Sequence, residues 1–162
     1  MPCCDTSALV GWFVFAKAIR YYFERKKMIP HYAYDGLLSE FGALIGIPDL
    51  SFDQDDLCHL QIDDALWISL RRDLANQRLL LIGNLLEELP DELEPEAVRA
   101  LLVMAGNPIK GDLPGVALAP DSGMLMMYNS LLMEGLNLAQ FERRLEEFID
   151  QLQSWRLMPE VA

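Results

Sequence analysis

Six apolar residues near the end of the chain, Leu138, Phe141, Leu145, Phe148, Leu152 and Trp155, recur at intervals of three, four, three, four and three. That spacing returns to one side of a helix at every turn, so it predicts an amphipathic helix with a single apolar stripe. Glu142, Arg143, Glu146, Glu147 and Asp150 fall on the opposite side. Asn137, with Gln140 three residues later, makes a capping box at its start. The stripe is too short for a long coiled coil. Such a helix has to cover another element of a domain, and the expected element is a sheet.

The strands to build that sheet are legible upstream. Cys58, Leu60 and Ile62 alternate with His59 and Gln61. Asp63-Asp64 forms a tight turn, after which Leu66, Ile68 and Leu70 alternate with Ala65, Trp67, Ser69 and Arg71. A polar turn at 73–77 leads into Arg78 to Leu86, rich in Leu and Ile. Short turns between alternating runs indicate an antiparallel meander. Two further strands, Val116 to Ala119 and Met124 to Leu132, are joined by Pro120-Asp121-Ser122-Gly123, whose residues suit a hairpin turn.

Two more helices complete the pattern. His31 to Ile47 places Leu37, Leu38, Phe41, Leu44 and Ile45 on one face. Asp35 offers a cap to an inner start, and Gly46 with Pro48 closes the helix. Residues 49–56 read as an acidic loop. Residues 90–95 form a proline-bounded linker, and a short helix starts there with Pro95 in its first turn. Between Ala97 and Ala105 its only charge is Arg99. A helix apolar nearly all round must be covered on two sides. Its own sheet can supply one cover, and a second copy of the chain is the expected source of the other. Residues 109–115 read as loop. The fold class is therefore α+β, in the order α-β-β-β-α-β-β-α, with helices packed on an antiparallel sheet.

The chain has 162 residues, 52% hydrophobic and 23% charged, enough for one domain with a buried core. Its formal net charge of −12 repels phosphate backbones and excludes a general nucleic-acid binder. The charge is unevenly spread. Residues 1–27 carry Lys17, Arg20, Arg25, Lys26 and Lys27 against Asp5 and Glu24, a net +3 that leaves −15 on residues 28–162. The break divides the sequence into an N-terminal extension, 1–27, and a domain, 28–162. The apolar run from Ala8 to Ala16 is too short to span a bilayer, so no stable membrane insertion is expected, and its charges follow it instead of preceding it, unlike a signal peptide. Three readings of the extension stay open: a membrane-surface helix, a docked helix of the fold, and a segment upstream of a translation start at Met28.

No catalytic, cofactor-binding or metal site emerges. Cys3, Cys4 and Cys58 are an odd number with no C-x-x-C spacing, which argues for a reducing compartment. Cys3-Cys4 lacks a third ligand or a lipidation signal. Cys58 and His59 are strand neighbours and point to opposite faces, so they cannot act as nucleophile and base. Gly106 to Gly111 lacks the Gly-Lys-Ser/Thr ending of a phosphate loop. The many carboxylates leave a small acid-dependent hydrolase as the rival from another class, but most sit where solvation explains them. The chain is not expected to be an enzyme. Met124, Met126, Met127 and Met133 cluster in and after the last strand, where adaptable side chains suit either a core or a surface accepting varied apolar partners.

Read together, three stretches resemble a known family. The helix LLSEFGALIGI, the late hairpin GVALAPDSGMLMMYNSLLMEGLN and the closing helix LAQFERRLEEFIDQLQSWRL, with Phe148 and Trp155, look like the class I type III secretion chaperones, the Tir-chaperone-like family of Gram-negative bacteria. The likeness runs from Tyr32 to Leu157 and leaves residues 1–27 without counterpart. It implies a cytoplasmic homodimer that binds the extended N-terminal segment of secreted effector proteins. Such a protein keeps its client soluble and export-competent, hydrolyses no ATP itself, and has the secretion-system ATPase as a further expected partner. A regulator or adaptor with the same fold, binding a folded partner, is the alternative. On this reading Val98, Leu101, Leu102 and Ala105 are the expected dimer-interface residues. Leu38, Phe41, Ile45 and Trp67 are the expected effector contacts.

Overall fold

The structure, a computed structural model, describes residues 29–62, 66–90 and 92–157. The extension and the Asp63-Asp64 turn lie outside these residues. The elements run α1 (His31–Ile45), β1 (Leu57–Ile62), β2 (Leu66–Asp73), β3 (Arg78–Leu86), α2 (Pro95–Ala105), α3 (Asn107–Lys110), β4 (Gly115–Leu118), β5 (Leu125–Leu132) and α4 (Leu138–Arg156). The five strands form one antiparallel sheet in the order β1-β2-β3-β5-β4. The α+β architecture expected from the sequence is the one observed.

Alternation decides which side chains form the core. Cys58 and Leu60 of β1, Leu66, Ile68 and Leu70 of β2, Leu79, Leu81 and Leu85 of β3, and Leu125, Met127 and Leu131 of β5 are buried. The residues between them point to the other face. Helices α1 and α4 cover the buried face, and Phe41 meets Phe141 edge to face at 5.1 Å between ring centroids. All six residues of the α4 stripe except Leu138 are buried, and Leu138 packs against the core from its margin. Both bonds of the capping box form: Asn137 Oδ1 accepts from the Gln140 amide at 2.9 Å, and Gln140 Oε1 accepts from the Asn137 amide at 3.1 Å. At Gly83 the helix comes so near the sheet that an added Cβ would lie 2.3 Å from Leu152 Cδ2. Leu152 is fully enclosed and has nowhere to retreat.

Three local readings are corrected. Helix α1 ends at Ile45, not Ile47, with Gly46 as a left-handed C-cap at φ 80°. Asp35 caps nothing. Its carboxylate accepts from Arg72 Nη1 at 2.6 Å, and Arg72 also bonds Asp56 through Nε and lies 5.0 Å above the Phe52 ring. One arginine thus ties α1, the 49–56 loop and β2 together. The stretch after Asn107 is a helical turn, α3, and not open loop. Pro108 seats this turn on the outer face of the sheet, where a Cβ on Gly115 would come within 2.8 Å of its ring.

Candidate functional site

Among the described residues, two places combine uncovered apolar surface with an edge of the sheet. The first is the β1 edge. The Arg72 amide donates to the Asp56 carbonyl, which fixes the antiparallel alternation. Cys58, Leu60 and Ile62 turn their peptide groups towards β2, while Leu57, His59 and Gln61 turn theirs outward. Leu57 is already engaged: its amide donates to Asp53 Oδ1 at 2.9 Å and its carbonyl accepts from the Asp53 amide at 2.7 Å. No described residue takes up the outward N–H and C=O groups of His59 and Gln61. An open edge of this kind is a template for an added strand.

Beside that edge lies a cleft of about 500 Å³. Helix α1 and the turn after it supply Phe41, Ile45, Ile47 and Leu50. Strand β1 supplies His59 to Ile62, and α4 supplies Glu142, Leu145, Glu146 and Ile149. The walls are mainly aliphatic, with two carboxylates along one side. Of the expected effector contacts, Phe41 and Ile45 line this cleft, and Ile45 is 44% exposed. Leu38 is buried in the core at 2% exposure and does not line the cleft. Trp67 is exposed on the other face of the sheet, across the ladder from Gln61. It borders a shallow depression with Asn84, whose Oδ1 is buried and has no hydrogen-bond partner among the described residues. An extended chain touching both Ile45 and Trp67 has to pass over the β1 edge.

The second place is α2. None of its residues is buried, and Val98, Leu102 and Val103 are exposed, Leu102 to 68%. Ala105 is exposed as well, whereas Leu101 is partly buried against the core. The helix packs beside β4, the other edge strand. Past its end Ile109 of α3 is 91% exposed. The sequence reading missed Val103 and Ile109, although the all-round apolar character of the segment carried the signal for Val103. The methionine cluster divides: Met127 and Met133 are core, while Met124 and Met126 are half-buried.

Cys58 and His59 are not brought together as a pair. Burial, with a smaller effect from Asp53, pushes the Cys58 thiol up and keeps it protonated. His59 points away from it and shares a 2.8 Å hydrogen bond with Ser69 Oγ. Among the described residues no three potential ligands gather as a metal site, and no helix is long and apolar enough to cross a membrane.

Known proteins share this architecture. A chain of the HopA1–SchA chaperone–effector complex superposes with a TM-score of 0.68 at 32% identity, over 78% of this chain and 94% of its own. A chain of the ExsC–ExsE complex gives a TM-score of 0.67 at 26% identity, over 80% and 95%. In sequence, the transcriptional anti-antiactivator ExsC of Pseudomonas aeruginosa is 29% identical over 124 residues, 76% of this chain and 83% of ExsC. The profile of the Tir chaperone protein (CesT) family matches residues 36–156. With its five-stranded sheet, its two covering helices and that match across most of its length, the chain belongs to the CesT family of type III secretion chaperones.

Proposed function

We propose that the protein is a cytoplasmic, homodimeric chaperone that holds an extended N-terminal segment of one or more secreted effectors, acting by binding alone. The observation that carries this reading is the continuity of the apolar cleft with the open β1 edge. An extended client needs main-chain partners for its backbone and pockets for alternate side chains. His59 and Gln61 offer the first and the Phe41–Ile45–Ile149 cleft offers the second. Trp67 extends the contact to the outer face, as a wrapped client requires. The exposed side of α2 supports a second copy as the other partner, through Val98, Leu102 and Ala105, with Leu101 steadying the helix from below.

The test is a tagged full-length chain recovered from its own bacterium under secretion-inducing conditions, followed by mass spectrometry and light scattering. Two copies bound to one larger secreted protein through its N-terminal region are expected. A bare monomer overturns the reading. The likeness to ExsC favours a second use of the same surface: holding a regulatory protein, so that occupancy alters transcription. A partner of that kind is distinguished by a transcriptional response to deletion of this chain.

A further inference from the structure

The cleft wall on α4 carries a charge pattern that the rest of the helix does not. Arg143 and Arg144 both engage Glu147, and Arg144 also pairs with Asp112 at 2.8 Å. Glu142 and Glu146, one turn apart on the cleft side, have no cationic partner among the described residues. No lysine or arginine lines the cleft, and the His59 imidazole is turned to Ser69 on the other face of the sheet. Glu142 is half-buried and Glu146 exposed, so an approaching cation meets one carboxylate partly shielded from water. Fields between charges in an apolar cleft are screened less than on an open surface.

We infer that this site selects client segments of one chemistry: an extended stretch with apolar side chains that enter beside Phe41 and Ile45, and a Lys or Arg placed to face Glu142 and Glu146. The inference rests on the chaperone reading and specifies the client it accepts. The open edge fixes the geometry. A strand paired to His59 and Gln61 sends alternate side chains to opposite faces. Residues two apart therefore enter the cleft, one reaching its aliphatic floor and the next its acidic wall. The charge acts locally, which separates it from the general attraction of an acidic protein for basic peptides.

A displayed library of random 12-residue peptides, selected on the immobilised full-length chain at physiological salt, tests this. Peptides enriched on the wild type should carry alternating apolar residues and a Lys or Arg at a fixed offset. Replacing that cation by Glu in a synthetic winner should weaken binding about two- to fivefold, the range expected for partly screened ion pairs. On E142Q/E146Q the apolar pattern should persist while the preference for a cation disappears. Enriched peptides with no cation, or with a cation whose benefit survives E142Q/E146Q, overturn the inference and leave the chaperone reading intact. Failure of any peptide to enrich over an Ile45→Asp control overturns both.

Discussion

The β1 edge and helix α2 leave apolar surface exposed at opposite ends of one sheet, and they do so in different shapes. At β1 the apolar residues line a hollow whose rim is unpaired backbone. At α2 they stand out from a helix whose backbone bonds are internal, and none of its residues is buried. A hollow rimmed by peptide groups receives a chain with no structure of its own. A ridge of side chains needs a surface that is already folded. On the proposed function, the same feature, apolar residues without a cover in one copy, serves two classes of partner, an extended client and a second folded subunit.

The contrast assumes that the core on the buried face is complete within one copy. Phe148→Ala should remove about 3–5 kcal/mol from urea-unfolding stability. If that loss varies with protein concentration, the core is shared between copies and the contrast fails. Leu102→Asp puts a charge on the α2 ridge and should weaken self-association at least tenfold, about 1.4 kcal/mol, as seen in light scattering. Cleft occupancy should be unaffected in the folded monomer, and loss of both would join the two regions into one. Trp67→Asp should lower client capture by a folded dimer while leaving its mass unchanged. Undiminished capture would confine the client to the cleft side.

A smaller effect sharpens the β1 end. Arg72→Ala frees the 49–56 loop from α1 and β2 and should cost about 1–3 kcal/mol. The smallest comes from pH. Asp53 is held below its ordinary value of 3.8, chiefly by the hydrogen bond from the Leu57 amide, and Asp73 below the same value, chiefly by the Asn76 side chain. A depressed carboxylate stabilises the fold fully above its unfolded value and loses that contribution as pH falls through its folded one. Unfolding midpoints should therefore hold steady above that range and decline below it, and Asp53→Asn should flatten the decline.

Elements whose signals are local were legible in the sequence. The α4 stripe, its capping box and the alternation in β1 and β2 each lie within a few residues, and the structure reproduces them. What escaped was set by distant partners. Leu38 and Ile45 share one helical stripe in sequence, yet Leu38 is 2% exposed and Ile45 44%, because periodicity does not say where the covering helix ends. Asp35 looked like a cap because nothing nearby announces Arg72, which lies 37 residues away. The turn α3 begins with Asn-Pro, a loop signal, and is held by the packing of Pro108 over Gly115. Glu142 and Glu146 read as part of a solvated face. Their lack of partners shows only once Arg143 and Arg144 are seen turned to Glu147 and Asp112.

The order of the elements along the chain also bears on how the molecule comes into being. Strands β1 to β3 pair with their sequence neighbours, whereas the cleft joins α1 and α4, the first and last described elements. During synthesis the meander can pair early, since short loops close at small entropic cost. The wall bearing Leu145 and Ile149 is made last. A chain still on the ribosome therefore has an open strand edge but no finished cleft beside it, and the proposed client site comes into existence only when the whole domain does.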